Sequence, residues 1–137
     1  ATAYRPEAKL GGVVVSEMVT GDFELVIGLQ NDPVFGVVIM VGFGGILVEV
    51  LEDVAFAKAP VTALEADRML EDLRGSAILR GVRGRPAINR DALIEMICAV
   101  SRFGAAAGDR LKEVDLNPVL VGAERAVAVD WLVVLNE

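Results

Sequence analysis

Two short apolar runs near the C-terminus, separated by a Gly-Ala-Glu-Arg turn, most constrain how this chain can fold. The runs are residues 119–121, which are Val-Leu-Val, and residues 126–129, which are Ala-Val-Ala-Val. Two such runs joined by four residues that include a glycine predict an antiparallel β-hairpin, with Val121 facing Ala126 across the turn. The chain therefore has to build at least part of an antiparallel sheet.

The register of this hairpin predicts that three oxygen-bearing side chains lie together. Asn117 stands opposite Asp130, and Asp115 shares the face of Asn117 because side chains alternate along a strand. Directly opposed residues lie about 5 Å apart and diagonal ones about 7–8 Å. Mg²⁺ favours one or two carboxylates, completed by waters and substrate phosphates. The sequence predicts a magnesium-nucleotide site here, although Asn-Pro is also a common turn dipeptide and such acids often only end strands.

The composition predicts that residues 1–137 form one globular domain. The chain is 54% hydrophobic and 24% charged, so it can bury a core and is not disordered. Its longest uncharged stretch, 33–48, is too short to cross a membrane, and the start shows no signal-peptide pattern. The first residues, Ala-Thr-Ala without methionine, suggest a piece of a longer chain. One cysteine, Cys98, cannot form an internal disulfide, which fits a reducing cytoplasm.

The net charge of −7 disfavours a nucleic acid as the partner. The basic residues are unevenly distributed, because the stretch 80–86 carries arginines interleaved with glycines and no acid. Within it, Arg83 and Arg85 could bind phosphate through their guanidinium forks, or they could be solvated or face a partner protein. The chain has no histidine, so a histidine base or phosphohistidine would have to come from outside it.

The order of the patterns along the chain predicts an α+β fold, with an antiparallel sheet packed against two helices. Thr62 and Glu65 form a capping box that opens the first helix, which is expected to end at Gly75. Asn89 caps the second helix, which is expected to close within residues 104–108. The predicted strands are a hairpin of residues 12–19 and 23–29, followed by strands 35–41, 46–51 and 54–58.

Glutamates and glycines in the first half of the chain are further candidates for ligand contact. Glu17 and Glu24 flank the first predicted turn, where each could bind a nucleotide's amine or ribose hydroxyls or be a solvated strand-end charge. Gly44 and Gly45 belong to a Gly-Phe-Gly-Gly break that could approach a phosphate closely. The break lacks the dinucleotide and P-loop patterns, so a tight turn explains it as well. Glu49 alternates with leucines and could point into the same cleft.

Taken in order, these motifs resemble the C-terminal ATP-grasp part of NDP-forming acyl-CoA synthetases, relatives of the succinyl-CoA synthetase β subunit. The resemblance covers nearly the whole chain. Its blocks are Val-Ser-Glu-Met-Val at 15–19, Phe-Glu-Leu-Val-Ile-Gly at 23–28, Asp-Pro-x-Phe-Gly at 32–36, Gly-Phe-Gly-Gly-Ile-x-Val-Glu at 42–49, Arg-Gly-x-Arg-Gly-Arg-Pro at 80–86, Asp-Leu-Asn-Pro at 115–118 and Ala-Val-Asp at 128–130.

The resemblance implies a role for each matching residue. Asn117 and Asp130 match magnesium ligands, and Asp115 matches the acidic residue beside them. Glu17, Met18 and Val19 match the hinge strand whose backbone meets adenine, whereas Glu24 matches the glutamate near the ribose. The implied cofactors are Mg²⁺ and ATP or ADP.

The implied activity is that of an acid-thiol ligase. Such enzymes couple formation or cleavage of an acyl-CoA thioester to ATP, through acyl phosphate and a phosphohistidine on another domain. CoA and the carboxylic acid would bind to other domains, an upstream lobe would close over the nucleotide, and the fragment alone would be inactive. We expect the full-length form to be an oligomer. The alternative is a ligand-sensing ATP-grasp-like module of a protein lysine acetyltransferase.

Overall fold

The computed structural model describes residues 11–45, 53–82, 84 and 86–136. Within this part of the chain, six strands form one antiparallel sheet, with the order β3-β2-β1-β4-β5 and with β6 also paired to β4. The strands are β1 (Phe23–Asp32), β2 (Gly36–Phe43), β3 (Val54–Lys58), β4 (Leu111–Val121), β5 (Ala126–Ala128) and β6 (Trp131–Leu135). Strand β1 lies in the centre because its two edges pair with β2 and β4.

Helices pack on one face of this sheet and make the second layer. They are α1 (Ala63–Asp72), the short α2 (Ser76–Leu79) and α3 (Arg90–Ala107). The fully buried side chains come from one face of the strands and from the helices, among them Leu25, Ile27, Ile39, Leu70, Leu93 and Ile97. This two-layer α+β architecture confirms the predicted fold class.

Helix α1 begins where the sequence predicts, at a complete capping box. The Thr62 hydroxyl accepts the Glu65 amide at 3.3 Å, and the Glu65 carboxylate accepts the Thr62 amide at 2.7 Å. The buried residues Ala66 and Met69 lie on the side that faces the core. The helix ends at Asp72 rather than at the predicted Gly75, because the chain turns extended at Leu73 and then begins α2.

The capping box makes a pH-dependent contribution to stability. The Thr62 amide and hydroxyl donate hydrogen bonds to Glu65 and hold the pKa of its carboxyl below the usual 4.5. A carboxyl whose pKa is lower in the folded state stabilises the fold above its unfolded pKa, and this contribution is lost as the pH falls through the folded value. We therefore expect Glu65→Gln to lower the unfolding temperature at neutral pH, and the deficit to shrink below about pH 4.5. Thermal unfolding across pH tests this, with Glu95→Gln on α3 as the control. A deficit that stays constant into acid would contradict it.

Helix α3 also follows its local signals. Asn89 accepts the Ala92 amide at 3.0 Å as the N-cap, Leu93 and Ile97 are fully buried, and the helix ends before Gly108. The φ of Gly108 is +54°, a left-handed conformation that favours glycine at a helix end.

The predicted strand 23–29 is confirmed as part of β1, whereas its predicted hairpin partner, residues 12–19, is wrong. Residues 11–21 form no strand, and Val13, Val14 and Val15 are more than 90% exposed. The physical reason is competition, because β2 and β4 occupy both edges of β1 and leave no edge for residues 12–19. The predicted strand 46–51 lies outside the described residues, and β6 was not predicted.

The C-terminal hairpin has the predicted register. Val121 pairs with Ala126, and Val119 pairs with Ala128. The same register continues into β6, where Leu116 pairs with Trp131 and Asp115 with Leu132. The β5 and β6 strands are therefore two parts of one edge, interrupted at residues 129–130.

Candidate functional site

A cavity of about 1000 Å³ opens on the sheet face that the helices do not cover. Its floor consists of the residues that alternate with the core positions of the central strands, among them Val26, Gly28, Val38, Met40, Val54 and Phe56. Polar side chains from β1 and β4 line one side, namely Gln30, Glu113, Asp115 and Asn117. The cavity thus has an apolar floor and an acidic wall, and it is open enough to admit a molecule of nucleotide size.

Strand β4 supplies the acidic wall because it carries a bulge. Between Leu25 and Ile27 of β1 the pairing with β4 shifts by one residue, so that Asn117 and Pro118 together oppose Val26. A bulge accommodates Pro118, which has no amide hydrogen to donate to the ladder. Asp115 and Asn117 both line the cavity, as predicted for residues that share a face.

Asp130 stands opposite Asn117, as predicted. The Asn117 amide donates to the Asp130 carbonyl at 3.3 Å, and the next pair is closed by the Val129 amide donating to the Pro118 carbonyl at 3.0 Å. The Asp130 carboxylate accepts the Trp131 amide at 2.8 Å, which fixes the side chain near the strand interruption. The structure therefore places Asp130 opposite Asn117 and within electrostatic reach of Asp115, and Asp115 and Asn117 line the cavity. The role of these three residues as ligands stays a prediction.

The Asp115 carboxylate is partly buried and lies near two other negatively charged side chains. Partial burial raises the pKa of its carboxyl, and the negative charges of Glu113 and Asp130 raise it further. A divalent cation beside Asp115 and Asp130 would relieve this repulsion. Within the described part of the chain no three side chains of the His, Cys, Asp and Glu types are grouped as metal ligands. Two carboxylates and the Asn117 amide oxygen still fit Mg²⁺, which needs only one or two carboxylates from protein.

Glu24 and the glycine break come together at the edge of the cavity. The Gly44 amide donates to the Glu24 carbonyl at 2.7 Å, and a Cβ on Gly45 would lie 2.9 Å from a Glu24 carboxylate oxygen. Gly45 also lines the cavity and has a φ of +63°. A side chain at Gly45 would therefore clash with Glu24 and strain the backbone. These three predicted site residues form one group.

Of the remaining predicted site residues, the three that the structure describes, Glu17, Met18 and Val19, do not line the cavity. Glu17 pairs with Arg125 at the surface, Met18 is 89% exposed and Val19 is half-buried. Glu49, Arg83 and Arg85 lie outside the described residues. Their contacts with a nucleotide stay predictions.

Several cavity residues were missed by the reasoning from sequence. Gly28 pairs with Asp115 and lines the cavity, and a Cβ there would lie 3.3 Å from the end of the Met40 side chain. Met40 and Phe56 form the apolar floor. The signal for them was the period-two alternation of β1, β2 and β3, whose second face was not assigned because the strands contain apolar residues on both faces.

The architecture is an antiparallel sheet whose helix-free face carries an open cavity with an acidic wall. Residues 1–135 match the sequence model of the ATP-grasp domain family. The chain belongs to this family.

The relatives and solved structures point to one branch of the family. The chain is 40% identical over 138 residues to the β subunit of acetate–CoA ligase (ADP-forming) II from Pyrococcus furiosus, covering 99% of this chain and 58% of the relative. A Ca. Korarchaeum cryptofilum dinucleotide-forming acetyl-coenzyme A synthetase 1, in complex with coenzyme A and Ca-AMPCP, matches with a TM-score of 0.88 and 32% identity, covering 98% of this chain and 58% of that one. Another structure of that synthetase, with Mg-AMPPCP, matches with a TM-score of 0.79 and 33% identity, covering 87% and 55% of the two chains. The chain thus spans a little over half the length of these proteins.

Proposed function

We propose that this chain is the C-terminal lobe of the ATP-grasp part of an NDP-forming acyl-CoA synthetase, and that it binds Mg²⁺ and ATP or ADP. The observation that carries the proposal is that Asp115 and Asn117 line the open cavity while Asp130 stands opposite Asn117 and acts electrostatically on Asp115. The similarity to acetate–CoA ligase subunits and to a synthetase crystallised with Mg-AMPPCP supports it.

The proposed reaction joins a carboxylic acid to CoA at the expense of ATP, or runs in reverse. Bound Mg²⁺ would hold and neutralise the nucleotide phosphates during in-line transfer. In this chain Asp115, Asn117 and Asp130 would hold the ion, Glu24 would contact the ribose, and the apolar floor would exclude water. These 137 residues contain no histidine, so the phosphohistidine intermediate would form on another domain.

The proposed partners follow from the greater length of the relatives, of which this chain spans a little over half. We propose that an upstream lobe closes over the nucleotide and that CoA and the acid bind to further domains. The proposed setting is an oligomeric enzyme of the cytoplasm, without nucleic acid or membrane as partner. Among the described residues, no helix has the length and apolarity needed to cross a membrane.

The regulatory alternative, a sensing module of a protein lysine acetyltransferase, receives no support from the relatives. The relatives described above are named ligases or synthetases. In addition, a purely structural lobe has no physical need to gather two carboxylates whose charges repel.

The proposal is tested with the complete polypeptide that carries these 137 residues. We expect it to consume CoA and ATP in the presence of Mg²⁺ and a short or branched carboxylic acid, and to release ADP. Thioester formation is measured directly, and omission of the acid or of Mg²⁺ is the control. Absence of turnover across a panel of short and branched acids would contradict the enzyme proposal.

A further inference from the structure

The turn between β5 and its partner β4, residues 122–125, is fastened to the start of α3 by Asn89. The Asn89 amide donates to the Gly122 carbonyl at 2.7 Å, and its side-chain Nδ2 donates to the Glu124 carbonyl at 2.8 Å. The Oδ1 of the same side chain caps α3 by accepting the Ala92 amide. Asn89 therefore uses both ends of its carboxamide, one for the helix and one for the turn.

The fastened turn directs Arg125 towards the segment that precedes β1. The turn is closed by the Gly122 amide donating to the Arg125 carbonyl at 3.0 Å, and an Arg125 Nη2 lies 3.2 Å from a Glu17 carboxylate oxygen. This ion pair joins two sequence positions that are 108 residues apart. Because the ion pair is exposed to solvent, it contributes little to the free energy of unfolding. Its effect is to orient the segment that contains Glu17.

A backbone hydrogen bond from Asp22 to β4 holds the other end of the segment that contains Glu17. The Asp22 amide donates to the Val121 carbonyl at 2.9 Å, and Gly21 lies so close to β4 that a Cβ there would be 2.9 Å from the Val121 amide nitrogen. Residues 17–22 therefore run along the turn end of the C-terminal hairpin, held at Glu17 and at Asp22. Between these two points lie Met18 and Val19, whose backbone is predicted to meet the nucleotide base.

The same turn is also joined to the start of α3. The Ile88 amide donates to the Leu79 carbonyl at 3.1 Å, and Asn89 follows Ile88 directly and bonds to the turn. The turn therefore connects two parts of the chain, the segment 17–22 through Arg125 and the start of α3 through Asn89.

We propose that Arg125, held by Asn89 through the 122–125 turn, is a positioning residue that fixes residues 17–19 for contact with the nucleotide base. This inference rests on the proposed function. Arg125 does not line the cavity, so its loss is expected to weaken nucleotide binding without changing the chemical step.

The test compares four variants in the complete polypeptide. Arg125→Ala removes the ion pair, and Asn89→Ser keeps a helix N-cap while removing the amide that bonds to Glu124. The double variant Arg125→Glu with Glu17→Arg restores a pair of opposite sign. Arg102→Ala, on the exposed side of α3, removes an equal charge elsewhere and is the matched control.

We expect Arg125→Ala and Asn89→Ser to raise the KM for the nucleotide by up to about fivefold while kcat stays unchanged, which is the range of an exposed ion pair. Amide hydrogen exchange at Asp22, whose amide bonds to the Val121 carbonyl, should become faster in both variants, and the double variant should restore its protection. The difference between Arg125→Ala and the parent should shrink at high salt, whereas Arg102→Ala should behave as the parent.

The outcomes separate the inference from the proposed function. If the parent protein binds nucleotide but Arg125→Ala changes neither the KM nor the exchange of the Asp22 amide, the inference is overturned and the proposed function stands. If the parent binds no nucleotide, the proposed function falls and the inference with it. A fall in kcat with unchanged KM would also overturn the inference, because it would place Arg125 in the chemical step.

Discussion

Asp130→Ala should remove the magnesium-dependent part of nucleotide binding in the complete polypeptide. The register of the C-terminal hairpin sets Asp130 opposite Asn117, and its charge contributes to the raised pKa of Asp115. Loss of groups that only orient metal ligands costs about 10- to 100-fold in metal affinity, so loss of a ligand should cost at least that much. Calorimetric titration of ADP with and without Mg²⁺ measures the effect.

Asp115→Asn should change the stability of the fold and the affinity for MgADP in opposite directions. Because partial burial and the charges of Glu113 and Asp130 raise the pKa of Asp115, its ionised form opposes folding in the absence of a cation. The contribution of this carboxyl to stability is fully present below its pKa in the unfolded state, about 3.8. The contribution is lost as the pH rises through the higher pKa of the folded state. At neutral pH the variant should therefore unfold at a higher temperature without Mg²⁺ and bind MgADP more weakly.

The control for both variants is Asp72→Asn, which removes an exposed carboxylate at the end of α1. It should leave both the magnesium dependence and the unfolding temperature close to those of the parent. Equal MgADP affinity in the parent and in Asp130→Ala would show that the hairpin carboxylates are structural, and the proposed metal site would be wrong.

Asp53→Ala should destabilise this lobe far more than the loss of an exposed carboxylate such as that of Asp72. Asp53 is only 4% exposed, and its two carboxylate oxygens accept the amides of Arg74 and Gly75, each at 2.7 Å. The variant removes two charge-assisted hydrogen bonds and leaves two amides without acceptors. We expect a loss of about 2–4 kcal/mol in the free energy of unfolding.

Asp53→Asn is the matched variant, because it keeps the shape and one acceptor oxygen and should lose less. Urea unfolding is monitored by amide hydrogen exchange in β1 and β2, so that the measurement reports on this lobe within the complete polypeptide. The space is also tight, since a Cβ on Gly75 would lie 2.6 Å from a ring carbon of Phe43. A loss below about 1 kcal/mol in Asp53→Ala would mean that water replaces the carboxylate at both amides.

The sequence predicted the features that are decided locally. The capping box at Thr62 and the N-cap at Asn89 involve residues within one helical turn, so their signals survive in any tertiary context. The register of the hairpin was predictable for the same reason, because four residues of turn determine which positions of 119–121 and 126–128 meet.

Long-range choices were not predictable from these patterns. Residues 12–19 have the composition of a strand, but β1 pairs with β4, about 90 positions further along the chain, and so leaves them no edge. Asp53 gave no signal because its hydrogen-bond donors lie 21 and 22 residues away. The floor of the cavity was missed because apolar residues on both faces of β1 and β2 conceal which face is covered.

The common register of β5 and β6 along β4 limits how the family can vary in evolution. Both strands keep the same alignment with β4 across the interruption at residues 129–130. Because side chains alternate along a strand, a single-residue deletion between Ala126 and Asp130 would turn the Asp130 carboxylate towards the helices. Natural insertions and deletions in homologous chains should therefore gather in the 122–125 turn, whereas the interval from Ala126 to Asp130 should keep one length.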